Sequence, residues 1–196
     1  MKRATKRTYT LRRRAERQAE TRQRIVEAAV DLHGTVGPAR TTLTMIAERA
    51  GVQRHTLYAH FPEERDLFLA CSAHSIERNP LPDPEPWRAI EDATQRLRAG
   101  LGALHGWYER NAALAAAVLR DAEVHALTRE VVGIRIASVI ERCAEVLGAG
   151  LAPPQVAMLR LAMSFHTWRT LVQDGGLDTA GAVEALARAI EGAARA

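Results

Sequence analysis

The stretch Thr41 to Leu67, TTLTMIAERAGVQRHTLYAHFPEERDL, constrains this chain more than any other. It reads as two short helices joined by a tight turn, with a third helix starting directly after. Ile46, Ala47 and Ala50 recur at helical spacing and give the first helix one apolar face. Thr42 stands where an N-cap belongs. Gly51 supplies the backbone freedom that a sharp helix end needs, and Val52 can plug the angle between the helices. The second helix, about Arg54 to His60, is too short to be stable alone. Burying Leu57 and Phe61 leaves Gln53, Arg54, His55, Thr56, Tyr58, Ala59 and His60 mostly outward. Donors, acceptors and one cation on a helix of this size suit the major groove of DNA.

Several small, apolar and aromatic positions occur here in one fixed register: Thr42, Ile46 to Ala47, Ala50 to Val52, Thr56 to Tyr58, His60 to Pro62, and Asp66 to Leu67. The preceding helix adds Arg24 to Ile25, Ala28 to Ala29, Leu32 and Gly37. In this register the segment resembles the DNA-binding region of the TetR (tetracycline-repressor-like) family of bacterial transcription regulators. The resemblance covers about residues 20 to 70. Beyond it, only size and all-helical character match. One position departs from the pattern. The family usually places a lysine shortly after the recognition helix, against phosphate, and here Glu64 stands there. Arg65 is the alternative cation, although it points about 100° away around the helix.

Charge along the chain agrees with binding a polyanion at one end. Residues 1 to 65 carry a net charge of +7 and residues 66 to 196 a net of −3. Over residues 1 to 19, Lys2, Arg3, Lys6, Arg7, Arg12, Arg13, Arg14 and Arg17 face only Glu16. Too little of this segment is apolar to form a core, so it is expected to be a flexible basic arm against phosphate or the minor groove. The competing reading is a solvated tail that continues as helix from Leu11. No run approaches the roughly 18 apolar residues of a membrane span, and no apolar run follows the basic N-terminus as in a secretory signal. Cys71 and Cys143 lack metal or redox spacing and read as reduced, buried thiols of a cytoplasmic protein.

The sequence predicts an all-α chain: a three-helix head with the helix-turn-helix over 20–66, and a helical ligand-binding and dimerisation body over 67–196. The first core helix is expected over about Thr21 to Thr35, with Ile25, Ala28, Ala29, Leu32 and Val36 inward. A fourth runs from about Glu63 to Arg78 and links head to body. The prolines of Asn79 to Pro86 mark the boundary. Helices follow over about Trp87–Trp107, Asn111–Leu119, Asp121–Leu147, Pro154–Gln173 and Asp178–Ala194. Val183, Leu186, Ala187, Ile190 and Ala194 stripe the last of these. The resemblance implies that the last two helices pair with those of a second subunit. Leu159, Met163, Thr170, Val183, Leu186 and Ile190 are then the interface residues, unless both faces bury inside one chain. A head this small reads few base pairs alone, which favours the homodimer.

The chemistry legible in the chain is binding. Thr42, Thr56, Tyr58 and His60 lie at helix ends suited to phosphate, with Arg22, Arg24 and Arg65 as further DNA contacts. Gln53, Arg54 and His55 lie where base edges would be. The resemblance also implies a small-molecule effector pocket in the body. Its candidates are His105, Trp107, Tyr108, His125, Phe165, His166 and Arg169, with Trp168 nearby. Each aromatic in that set also reads as ordinary core. No G-x-S-x-G, P-loop, paired-cysteine or H-E-x-x-H pattern supports an enzyme, and no cofactor or metal is expected. The expected activity is repression at a palindromic duplex operator, relieved by a small effector. An effector-independent nucleoid protein is the alternative, and an enzyme a remote one.

Overall fold

The computed structural model describes residues 2–195, and the side chains of 12–194. The described residues form eleven α-helices and no strand. α1 spans Lys2–Thr35, α2 Leu43–Arg49, α3 Arg54–His60 and α4 Glu64–Arg78. Then come α5 Ala93–Arg110, α6 Ala112–Ala122, α7 Ala126–Val132 and α8 Ser138–Gly148. α9 Pro153–Ala162, α10 Phe165–Arg169 and α11 Thr179–Gly192 close the chain. No helix of the described residues is long and apolar enough to cross a membrane.

In place of the flexible arm expected over 1–19, the backbone is helical from Lys2 and runs unbroken into the first core helix. Residues 12 to 20 are exposed, so tertiary packing does not hold them there. Their own chemistry does: arginine, alanine, glutamate and glutamine are strong helix formers, and Arg12 pairs with Glu16 one turn on at 2.9 Å. The side chains of Lys2, Arg3, Lys6 and Arg7 lie outside the described residues.

The head forms as expected. Thr42 caps α2 by accepting from the Met45 N–H. Gly51 takes φ +65°, the left-handed conformation that ends α2. Ile25, Ala29, Ile46, Ala47, Leu57, Phe61 and Leu67 then close a small core in which α3 contributes only Leu57 and the Phe61 that follows it.

Three of the expected body helices are divided. Trp87 lies in a 3-10 turn over Glu85–Ala89, and α5 begins only at Ala93, where Asp92 caps it through the Gln95 N–H. The expected helix from Asp121 breaks at Glu123–His125, because Arg129 donates to the Ala122 and Glu123 carbonyls and satisfies the end of α6. From Ala126 to Gly148 the rod is continuous, but a π turn over Gly133–Ala137 divides it into α7 and α8. The helix expected over Pro154–Gln173 breaks at Met163–Ser164. Two α5 side chains account for the break: His105 Nε2–H donates to the Ala162 carbonyl at 2.8 Å, and the Tyr108 hydroxyl to the Met163 carbonyl at 2.7 Å. Ser164 then caps α10, its hydroxyl accepting from the His166 N–H.

The interface residues expected from the sequence need correction. Leu159, Met163, Val183, Leu186 and Ile190 are all buried inside a single chain, in the core that α5, α9 and α11 share. Of the six, only Thr170 is exposed. α11 has one strongly apolar stripe, and the monomer uses it to cover Leu97, Leu101 and Leu104 of α5. What α9 and α11 leave outside is a smaller-featured surface: Ala157 and Leu161 on one, Ala185, Ala189 and Gly192 on the other.

Candidate nucleic-acid interface and body cavity

α3 buries Leu57 and turns Gln53, Arg54, His55 and Tyr58 to solvent, with Thr56 and His60 half-buried at its flanks. Arg54 folds back along the helix, one Nη donating to the Tyr58 hydroxyl at 3.2 Å, with the guanidinium 5.8 Å from the ring centroid. The pair leaves most of the arginine fork free. Thr42 is exposed at the start of α2, and the oxygen that caps the helix still carries an outward O–H. Beside α3, Arg22 lies over the Phe61 ring at 4.6 Å, a cation–π contact that holds a charge at the edge of the same face. Arg24 is exposed two residues on, turned about 200° around α1 from Arg22, its guanidinium 3.5 Å from the Thr21 hydroxyl. The structure thus brings Gln53, Arg54, His55, Thr56, Tyr58 and His60 onto one element with Arg22 at its edge, while Thr42 and Arg24 are exposed elsewhere on the head.

Arg65 is paired with the body instead. Its Nε donates to Glu130 of α7 at 2.7 Å, which ties α4 to the body and neutralises the charge expected to replace the missing lysine. A carboxylate 65 residues away in sequence made this pairing invisible in the local pattern.

The body holds a half-open cavity of about 500 Å³, within the range of sites for drug-sized ligands. Its walls are mostly apolar. Of the seven candidates, Trp107, Tyr108, Phe165 and His166 line it. His105, His125 and Arg169 do not. His105 is fully buried as the cap of α9, and burial depresses its pKa. His125 starts α7 with Nδ1 2.8 Å from the Thr128 hydroxyl, its ring against Phe68. Burial also raises the Tyr108 phenol well above its ordinary value, so it stays a neutral donor.

The cavity has a second wall that the sequence reading missed. Val30 and His33 of α1, Pro38, and Phe68 and Cys71 of α4 line it together with the body residues. His33 is buried, its ring 4.9 Å from Phe68 and its Nδ1 3.6 Å from the Cys71 sulfur. Burial, with the nearby His125, lowers its pKa to about 4 against the pull of Asp121, so it is neutral near pH 7. Burial pushes the Cys71 thiol up to about 12. The signal for His33 was present: it follows Ile25 and Ala29 at four-residue steps, on the inward stripe of α1.

Just beyond His33, Asp121 fastens head to body. Its Oδ2 accepts from the Ala39 N–H at 2.9 Å, and its Oδ1 from Arg120 at 2.8 Å. Burial raises the Asp121 pKa, but the hydrogen bonds from Arg120 and Ala39 and the Arg120 and Arg40 charges outweigh it and hold the carboxyl below its ordinary value. The donating backbone is the 3-10 turn Pro38–Arg40, two residues before α2. Among the described residues, no three His, Cys, Asp or Glu side chains cluster to hold a metal.

Residues 25–71 match the family described as bacterial regulatory proteins, tetR family. A transcriptional repressor of Mycolicibacterium smegmatis, KstR, is 30% identical over 106 residues, covering 54% of this chain and 52% of that protein. The curated relatives are matched over about a quarter to somewhat more than half of their own length. A solved TetR-like transcriptional regulator from Rhodococcus sp. RHA1 shares the fold with a TM-score of 0.64 and 21% identity, over 87% of this chain and 93% of that one. The multidrug binding protein EbrR, solved with imidazole, is 25% identical with a TM-score of 0.53, over 85% and 93% of the two chains. The helix-turn-helix segment of this chain thus matches the tetR family of bacterial regulatory proteins, and its fold along nearly the whole chain is that of solved TetR-like regulators.

Proposed function

We propose that the protein is a DNA-binding transcriptional repressor that acts as a homodimer on a palindromic operator and is released from it by a small apolar effector. Its units are the basic extension over 1–19, the head over 20–66 and the ligand-binding and dimerisation body over 67–196. The observation that carries this reading is the shared cavity wall. Val30, His33 and Pro38 belong to the head, and they line the same space as Trp107, Tyr108 and Phe165 of the body. A ligand in that space touches the first helix of the reading head. If it fits one placement of the head better than another, it shifts the population between them. The multidrug-binding relative EbrR supports a ligand pocket in the body. A nucleoid protein that ignores effectors has no use for such a space.

On DNA, two heads enter successive major grooves about 34 Å apart. Gln53, Arg54 and His55 read base edges. Thr42, Thr56, Tyr58, His60, Arg22 and Arg24 hold phosphates. The dimer forms through the outward faces of α9 and α11, around Leu161 and the small residues Ala185, Ala189 and Gly192. Cytoplasmic placement follows from an operator on the chromosome. The test is binding to duplex fragments flanking the coding region, read by footprinting and fluorescence anisotropy. A protected two-fold symmetric site, with affinity lowered by an apolar ligand, is the expected result. Equal affinity for every fragment, insensitive to any ligand, would overturn the reading.

A further inference from the structure

The chemical class of the effector is written on the cavity wall, and this inference rests on the ligand-responsive reading above. Two polar groups of the wall residues are buried without a partner: His33 Nε2 and Arg135 Nε. They differ in what they recognise. The Cys71 thiol directs its proton to the Phe68 carbonyl at 3.2 Å, so its 3.6 Å contact with His33 is served by Nδ1–H donating to sulfur. Nε2 is then a bare lone pair, and the low pKa of the ring keeps it unprotonated. Such a group repels an anion.

Arg135 is the opposite case. Among the described residues its one hydrogen bond is a long one, 3.4 Å from an Nη to the Leu69 carbonyl of α4, and no acidic side chain pairs with it. The other charges on the wall are already served. Arg160 is held by both oxygens of Glu141 at 3.1 and 3.2 Å, and Glu123 is exposed to water. Arg135 also sits in the π turn Gly133–Ala137, which re-aims side chains relative to a regular helix and brings Arg135 and Ile136 to the wall. A guanidinium kept half-buried and unpaired against an apolar space lacks the counter-ion that a structural arginine would have.

We infer that the cavity takes an apolar monoanion, a carboxylate-headed amphiphile whose head group pairs with Arg135 and whose chain lies against Val131, Ile140 and Phe165. Matched probes decide it: octanoate, 1-octanol and octyltrimethylammonium, titrated calorimetrically into the full chain near pH 7. Octanoate should bind about tenfold or more tightly than the alcohol, as a charge-assisted pair with a half-buried guanidinium implies. Arg135→Gln should remove that preference while leaving 1-octanol binding unchanged, and Arg135→Lys should keep part of it. Circular dichroism checks that the variants fold. If Arg135→Gln does not fold, the order of the three probes on the wild type and on Arg135→Lys decides the matter. Equal or tighter binding of the alcohol or the cation, or a preference that survives Arg135→Gln, would overturn the inference and leave a neutral or cationic effector. Failure of all three to bind overturns it together with the ligand-responsive reading.

Discussion

His33 shows how much one side chain can link in this molecule. It belongs to the first helix of the head, packs on Phe68 and Cys71 of α4, and faces the body cavity. Its pKa falls from an ordinary 6.5 to about 4 on folding. The folded state therefore favours the neutral ring. Its contribution is complete above pH 6.5 and is lost as the pH falls toward 4, where the unfolded chain already binds the proton. The whole effect is about 3 kcal/mol. Thermal melts at pH 7 and pH 4.5 should show His33→Gln losing less stability on acidification than the wild type does. An equal loss would mean that other groups carry the acid sensitivity. Gly37, four residues on, is held by geometry. It has φ +98°, and a Cβ there would come within 2.3 Å of Arg120 and 2.5 Å of Asp121. Gly37→Ala should cost about 1–3 kcal/mol. It should also loosen the Asp121 to Ala39 hydrogen bond, seen as faster amide exchange at Ala39.

At the scale of elements, α3 keeps its helical form because its neighbours hold it. Seven residues do not form a stable helix alone, and Leu57 and Phe61 anchor it in the head core. Its polar face is then free to be specific. Arg54→Ala should cost about 1–3 kcal/mol on the cognate site and relax the preference at one position per half-site. Uniform weakening on every sequence would make Arg54 a phosphate contact instead. α11 behaves in the opposite way, since its apolar stripe is consumed inside the monomer. Leu186→Ala should lower the unfolding free energy by about 2–5 kcal/mol, measured in urea, with oligomeric state unchanged. Dissociation without loss of monomer stability would return Leu186 to the interface.

For the whole molecule, the question is what the outer face of α9 and α11 meets. Leu161 is 53% exposed on α9, and Ala185, Ala189 and Gly192 leave a close approach open on α11. A charge at Leu161 touches no core residue's burial in the monomer, but in a dimer it would be enclosed without a partner. Leu161→Glu should give a folded monomer by sedimentation, with the circular dichroism of the wild type. It should also bind DNA more weakly, since one head cannot span two half-sites. A dimer unaffected by this change would move the interface off α9. The head itself connects to the body at several points: α4, the Arg65–Glu130 pair, and Asp121 on the Pro38–Arg40 turn. The helix-turn-helix is thus tied to the body at both its ends.

The sequence by itself determined the all-helical class, the head, its caps and its turn, because those depend on short-range rules. Thr42 caps its own helix, Gly51 ends it, and Leu57 and Phe61 mark the buried side of α3. Four of the seven pocket candidates also came out on the wall, because aromatic residues in the body have few places to go. Long-range partners decided the rest. Local pattern could not tell that Arg129 would end α6, that His105 and Tyr108 would end α9, or that Glu130 would take Arg65. The apolar stripe of α11 announced burial but not which surface would provide it. Only the tertiary structure assigned that surface to α5 of the same chain, and only it brought His33 and Arg135, about a hundred residues apart, to one cavity. Periodicity reports that a face is buried. The partner that buries it is set by how the elements pack.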